Sequence, residues 1–291
     1  MARILITGGT GLVGKRLTQL LIDKNHEVLI LSRNPKNENE FKWDIVKNYI
    51  DEKAFKNIDF IIHLAGAGIA DERWTKKRKQ VIIDSRVKTA NLLFEKVNAL
   101  KLELKGFISA SGIGYYGAIT SKTIFKETDK SGSDFLAEVC QKWEAAAHKF
   151  SKINIPITIL RTGIVLAAKG GALEKMKTPV ISPLGSGKQY IPWIHIDDLC
   201  QMYIQSIEAN LIGIYNAVAP EHQTSITFSK TLAKSIKRPY LGIGVPAFML
   251  KILFGELAVI LLEGSRISTK KIEKNGYSFR FKTLKKALNN L

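Results

Sequence analysis

The sequence predicts an α/β fold, a doubly wound parallel sheet carrying a small, mainly helical C-terminal lobe. Two observations carry this expectation. Residues 4–14 read ILITGGTGLVG, an apolar run and a glycine-rich turn, after which Leu17, Leu20 and Leu21 continue at helical spacing. Beyond it, short apolar runs alternate with helical patterns long enough for right-handed crossovers between parallel strands.

Ile4-Leu5-Ile6 is long enough for a buried strand and too short for a helix. The glycines follow as Gly8-x-x-Gly11-x-x-Gly14, so strand, turn and helix form the first unit of a Rossmann-type dinucleotide fold. Such a turn bends sharply and lets a pyrophosphate approach bare N–H groups at a helix N-terminus, which glycine permits without a Cβ clash. Thr7, Gly8, Thr10, Gly11, Leu12 and Val13 are the expected cradle. A second strand, 26–31, ends in Ser32-Arg33-Asn34-Pro35. An NAD-selective site usually places a carboxylate near this strand end, to accept from the ribose 2′-hydroxyl. Here a hydroxyl and a guanidinium stand instead, and Arg33 can pair with a 2′-phosphate. The expected cofactor is therefore NADP(H) in preference to NAD(H), with Ser32 and Arg33 as its reading residues. Asp44, closing Phe41-Lys42-Trp43-Asp44, is expected near the adenine.

Further strands are expected at 60–64, 106–111 and 155–161, with helices at about 75–99 and 134–151. Ligands in such sheets bind beyond the carboxyl ends of the strands, where Gly8, Ser32, Ala65 and Ser111 fall. The dinucleotide-binding domain is placed at 1–165, with 190–220 returning to the sheet. Residues 166–189 and 221–291 are assigned to a substrate-side lobe.

At 291 residues and 45% hydrophobic content, the chain can bury one large core and an appended lobe. Cys140 and Cys200 lie in apolar-periodic segments without metal-ligand spacing, so both are read as buried thiols and no metal is expected. The net charge of +18 comes mostly from lysine spread along the chain, with no nucleic-acid-binding motif. Its densest patches, Lys76-Lys77-Arg78-Lys79 and the tail from Arg266, read as solvated helix faces. The stretch 245–262 is interrupted by Lys251, Gly255 and Glu256, and reads as lobe packing rather than a membrane span. With its first strand begun by residue 4, the chain leaves no room for a signal peptide, so a cytoplasmic location is expected. The expected partner is a small-molecule substrate or ligand, with no specific nucleic acid and no membrane; the oligomeric state is left open.

Thr7-Gly8-Gly9-Thr10-Gly11-Leu12-Val13-Gly14 resembles the TGxxGxxG fingerprint of extended short-chain dehydrogenases/reductases. His63-Leu64-Ala65-Gly66, Ser109-Ala110-Ser111, Leu160-Arg161-Thr162-Gly163 and Trp193-Ile194-His195-Ile196-Asp197-Asp198 match the same group in order. Arg73-Trp74, Asp84-Ser85-Arg86, Gly112-Ile113-Gly114-Tyr115-Tyr116-Gly117, Trp143-Glu144 and Pro183-Leu184-Gly185-Ser186-Gly187 look like one atypical subgroup, the "epimerase family" related to NAD-dependent epimerases and dehydratases. Residues 245–291 resemble that subgroup's C-terminal domain of unknown function. The resemblance implies a bound nicotinamide cofactor, with Leu64, Ala65, Gly66 and Arg161 among its contacts.

Enzymes of this superfamily use a Ser or Thr followed by Tyr-x-x-x-Lys on one helix. Spacing of four aligns phenol and ammonium on one face, and the ammonium lowers the phenol pKa so that it exchanges a proton as hydride moves. Ser111 fits the serine. On the helix from Asp134, however, the tyrosine position falls on Phe135 or Leu136 and the lysine position on Val139 or Cys140. Tyr49-x-x-x-Lys53 has the spacing but lies on the wrong segment. Tyr115, Tyr116 and Glu138 are the remaining acid/base candidates, and His195 is either a site residue or a packed one. Two functions stay open: an NADP(H)-dependent oxidoreductase or epimerase with an unusual acid/base, or a catalytically inactive NADP(H)-binding sensor or regulatory protein.

Overall fold

The computed structural model describes residues 1–291. In chain order, the first half contains β1 (Arg3–Thr7), α1 (Leu12–Asp23), β2 (Glu27–Ser32), β3 (Glu40–Asp44), β4 (Tyr49–Ile50), β5 (Phe60–His63), α2 (Lys76–Ala99), β6 (Gly106–Gly112), β7 (Ile124–Phe125) and α3 (Phe135–His148). The second half contains β8 (Ile157–Thr162), β9 (Ile164–Leu166), α4 (Gly171–Met176), β10 (Trp193–His195), α5 (Ile196–Glu208), β11 (Gly213–Ala217) and α6 (Ser225–Ser235). It continues through α7 (Ala247–Phe254), α8 (Val259–Leu262), β12 (Arg266–Ile267), α9 (Lys270–Lys274) and α10 (Leu284–Asn290).

Eight strands form the main sheet in the order β11-β8-β6-β5-β1-β2-β3-β4. Every pairing is parallel except β3 with β4. The strand order reverses beside β1, so a crevice opens above the carboxyl ends of β1 and β5, the usual ligand position in an open α/β sheet. Both sheet faces are covered. Leu17 and Leu21 of α1 pack with Met202, Tyr203 and Ile207 of α5 on one side. Leu92, Leu93 and Val97 of α2 pack with Phe107 and Phe150 on the other. Burial on both faces explains why the strands read as continuous apolar runs rather than alternating ones.

After β8 the chain leaves the main sheet. The pair β9 and β10 forms a separate two-stranded parallel ribbon, and β11 then returns to the sheet beside β8. The C-terminal region is mainly helical and tied to the rest at several points. Arg266–Ile267 pairs with Ile124–Phe125, and α10 packs on α6 in a third core. Asp198, 2% exposed, accepts from the Tyr277 hydroxyl and from the N–H groups of Arg280 and Phe281. No helix is long and apolar enough to cross a membrane.

Candidate functional site

The glycine turn is built for close backbone approach. Gly8 has φ +72°, and a Cβ there would lie 2.9 Å from the Leu64 carbonyl carbon. A Cβ on Gly14 would lie 2.2 Å from the Gly8 oxygen. These two glycines therefore hold β1, β5 and α1 together, whereas Gly11 does something else. Its position borders open space, with only the Gly8 oxygen at 3.2 Å. Gly11 caps α1 without a side-chain hydrogen bond, and the first turn carries no acidic residue. The helix N-terminus thus presents free N–H groups and its positive dipole end to the crevice, as a phosphate requires. Thr10 and Leu12 are exposed beside it and Val13 is half-buried. Thr7 is fully buried; its hydroxyl contacts His63 Nδ1 at 2.7 Å and accepts from the Ala65 N–H. It stitches β1 to β5 and holds the Leu64-Ala65-Gly66 turn in place. Burial holds the His63 pKa down to about 4, so this ring is neutral near pH 7.

At the end of β2, Ser32 is buried and its Oγ accepts from the Asn34 N–H. Arg33 is exposed. The neighbouring Lys42 ammonium donates to the Arg33 carbonyl, adding a second cation to this corner. Asp44 lies elsewhere in role: its carboxylate accepts from the Val46 and Lys47 N–H groups and closes the turn after β3.

The proposed chemical end of the crevice departs more from expectation. Ser111 closes β6 and is buried, and its Oγ donates to Glu144 Oε1 at 2.7 Å. Glu144 is held in turn by Arg161, whose Nε and Nη2 each donate to one carboxylate oxygen at 2.8 Å. Arg161 is 1% exposed. Its remaining Nη1 donates to the Tyr116 hydroxyl and the Glu127 carbonyl. Every nitrogen of this guanidinium thus has a partner inside the protein, where it forms a buried ion pair. Tyr116 belongs to the same network. Its hydroxyl donates to Asn216 Oδ1 at 2.6 Å, and burial pushes its pKa up to about 12 despite the nearby guanidinium. Glu138 stands on the solvent side of α3, half-exposed and paired with Lys142 at 2.6 Å, where it belongs to the helix surface. Tyr115 alone among the acid/base candidates is half-buried without an ion pair or side-chain partner of its hydroxyl, its ring 3.3 Å from the Arg161 guanidinium. His195 is a packed residue: its Nδ1 caps α5 at the Asp197 N–H and its ring stacks on Phe281 at 3.8 Å.

The register of α3 sets which of its side chains face the loop after β6. Leu136 Cβ and Cys140 Sγ both approach Gly114, at 3.1 and 3.7 Å from where its Cβ would lie. Cys140 also donates to the Gly112 carbonyl. Phe135 and Val139 turn instead towards Trp74 and Ile82. Leu136 and Cys140 therefore face the loop after β6. Neither supplies a phenol or an ammonium, and burial pushes the Cys140 thiol up to about 11.

One residue of this corner was not singled out as a site residue from the sequence. Arg86 on α2 is 6% exposed and makes no ion pair; its Nη1 donates to the Ile82 carbonyl, and its Nε has no partner. Its guanidinium lies 4.9 Å from the Trp143 ring and fills the space beneath Gly66, whose Cβ would be 2.9 Å away. Burial without a counter-ion pulls its pKa down to about 10. The available signal was an arginine within the buried stripe Ile82, Arg86, Thr89, Leu93 of a helix.

The comparisons with known proteins agree with this geometry. The mouse epimerase family protein SDR39U1 is 32% identical over 297 residues, covering 99% of each chain. An epimerase family protein of Staphylococcus saprophyticus is 34% identical over 302 residues, covering all of this chain and 99% of the relative. The crystal structure of human epimerase family protein SDR39U1 with NADPH superposes with a TM-score of 0.88 at 31% identity, over 99% of this chain and 98% of that one. UDP-glucuronic acid 4-epimerase from Bacillus cereus, with a TM-score of 0.78 at 21% identity over 98% of this chain and 96% of that one, shares the fold. Residues 245–291 match a domain of unknown function, DUF1731. With residues 4–217 matching its family model, the chain belongs to the NAD dependent epimerase/dehydratase family, as an NAD(P)-binding protein of extended short-chain dehydrogenase/reductase fold.

Proposed function

We propose that this protein binds NADP(H) in the crevice above β1 and β5 and holds it without the Ser–Tyr–Lys proton relay of its superfamily. The observation that carries the cofactor half is the α1 N-terminus, uncapped and bordered by a Cβ-free opening at Gly11, with Arg33 exposed at the β2 end. These residues fit a dinucleotide with a 2′-phosphate. Leu12 and Val13, in the first turn of α1, would receive the pyrophosphate on N–H groups, and Ser32 and Arg33 the 2′-phosphate. The buried, unpaired Arg86 supports the same reading, since a guanidinium without a counter-ion is costly and an anionic or acceptor-rich ligand above Gly66 offsets that cost. When bound, the cofactor supplies a hydride donor or acceptor; the chain's part is to orient it and to admit a small-molecule ligand beside it.

The catalytic half is supported by Leu136 and Cys140, four apart on α3 and facing Gly114 after β6, where neither supplies a phenol or an ammonium. That supports a sensor or regulatory role. A second reading, slow oxidoreductase chemistry, is favoured by Tyr115, whose ring lies against the Arg161 guanidinium. Titration of the purified protein with NADPH and NADH, followed by an NADPH oxidation assay over carbonyl compounds and nucleotide sugars, tests both halves. Tight NADPH binding with no turnover supports the sensor; turnover removed by Tyr115→Phe supports the oxidoreductase. Equal affinity for the two nucleotides overturns the cofactor assignment.

A further inference from the structure

Four large, exposed apolar side chains converge on one short helix. On α7, Phe248, Met249, Ile252 and Leu253 are 64%, 51%, 73% and 63% exposed, while Leu250 alone is buried. The pairs 248/252 and 249/253 are four apart, so the four side chains share one protruding face. An eight-residue helix is about 12 Å long, and four large apolar groups on it form a patch of the kind that marks an interaction site.

The surroundings of this face say what covers it. Arg73 donates to the Ile252 and Leu253 carbonyls, which brings the start of α2 against the end of α7. Exposed Lys76 and Lys77 stand there, and Lys251 stands on α7 itself. Of the acidic groups nearby, Asp71 and Glu72 share Arg78, and Glu256 pairs with Lys79. Against these three carboxylates stand six cations, those two with Arg73, Lys76, Lys77 and Lys251, so the rim stays basic on a chain of net charge +18. A two-fold contact between two copies would press this rim against itself, because such an interface places the same patch on both subunits. An anionic bilayer surface meets both features at once, apolar side chains entering the acyl boundary and lysines resting on headgroup phosphates.

We propose that α7 is a peripheral docking element for anionic membrane surfaces, the apolar face entering the interface and the Arg73, Lys76, Lys77 and Lys251 rim reading its charge. This departs from the sequence expectation of no membrane partner, which looked for a spanning segment; a surface helix leaves no such signal. The test sediments the full chain with vesicles of phosphatidylcholine alone and of phosphatidylcholine mixed with phosphatidylglycerol. The chain is expected to pellet with the phosphatidylglycerol vesicles at least tenfold better, and to be released by 0.5 M salt, since headgroup attraction is screened over about 3 Å at ~1 M. The double variant Phe248→Asp/Ile252→Asp is expected to lose at least tenfold in vesicle binding with an unchanged melting temperature, both side chains being exposed. Lys76→Glu/Lys77→Glu is expected to weaken binding to the charged vesicles. Absence of pelleting, or undiminished pelleting of the aspartate variant, overturns the proposal. So does a wild-type dimer in light scattering that the aspartate variant converts to monomer, which assigns the face to a second copy.

Discussion

Ser111 gives its hydroxyl proton to Glu144 across 2.7 Å, and Glu144 is locked by two further hydrogen bonds from Arg161. A carboxylate paired with a guanidinium only accepts, so the direction of the serine bond is fixed. Ser111 therefore turns lone pairs, not a proton, towards any ligand above β6. In a reductase the equivalent serine donates to a carbonyl oxygen, and here that donation is already spent inside the protein. The same holds for Tyr116, which donates to Asn216.

This network sets an expectation for stability. Glu144→Gln leaves the Arg161 guanidinium buried without its counter-ion and is expected to cost on the order of 3–5 kcal/mol. Ser111→Ala removes one hydrogen bond to a charged group and is expected to cost about 1.5–3 kcal/mol. Urea unfolding of both variants measures this. A Glu144→Gln protein as stable as the parent would show that the pair does not hold the β6–β8 edge.

Cofactor choice is read at Arg33. NADPH is expected to bind more tightly than NADH, and Arg33→Ala is expected to lose about 1.5–3 kcal/mol of NADPH affinity with little effect on NADH. Fluorescence titration gives both numbers. An unchanged NADPH affinity in the variant removes Arg33 from the site.

Gly11→Val is expected to abolish binding of either nucleotide in a protein that stays folded. The backbone at Gly11 has φ −78°, which any residue adopts, and the added side chain meets little of the protein. It occupies the opening into which the pyrophosphate would fit. A folded Gly11→Val protein that retains nucleotide affinity places the cofactor elsewhere.

Tyr115→Phe and Tyr116→Phe are expected to differ. Loss of a phenolic proton donor typically lowers a rate ~10²–10⁴-fold. Any NADPH-dependent turnover is expected to fall on that scale with Tyr115→Phe. Tyr116→Phe is expected instead to lower the unfolding free energy, by about 1–3 kcal/mol, because it leaves the buried Asn216 Oδ1 without its donor and removes one acceptor from Arg161 Nη1. Turnover lost with Tyr116→Phe at unchanged stability would put the chemistry on the wrong tyrosine.

His63 sets a pH dependence. Its pKa falls from 6.5 to about 4 on burial. Between those values the unfolded chain takes up a proton that the folded one refuses, so stability falls as pH drops through this window and levels off below it. A shift of this size corresponds to roughly 3 kcal/mol. The lowered carboxylates, Asp59, Asp84 and Asp197, act only below their ordinary value of 3.8, so the two ranges separate. Denaturant midpoints from pH 7 to 4.5 are expected to decline in the parent and to decline less in His63→Gln, where His195, also lowered by burial, keeps a residual slope.

The sheet was legible because its strands are buried on both faces, so each writes an unbroken apolar run between glycine or polar breaks. The phosphate turn was legible for a local reason, the spacing of Gly8, Gly11 and Gly14. The identity of the tyrosine and lysine positions was readable only to within one residue, since Phe135 and Leu136 are both apolar. Only the packing of Gly114 against Leu136 and Cys140 selects between them. The partners of Arg161, Tyr116 and Glu138 were not legible, because hydrogen-bond partners 4 to 100 residues apart in sequence decide whether a polar group faces a ligand or another side chain. No periodicity carries that information, and Arg86 escaped for the same reason.

The grip of Asp198 on Tyr277, Arg280 and Phe281 bears on how the chain is made. Synthesis runs from the N-terminus, and the dinucleotide half leaves the ribosome first. Yet Asp198 and the His195 ring have no partner for their buried faces until Phe281 has emerged, some 80 residues later. A nascent chain halted before that point carries an unneutralised carboxylate and a bare aromatic surface beside the phosphate turn. Emergence of Phe281 is therefore the step at which Asp198 and His195, next to the α1 N-terminus through Asp197 and Arg16, acquire their partners.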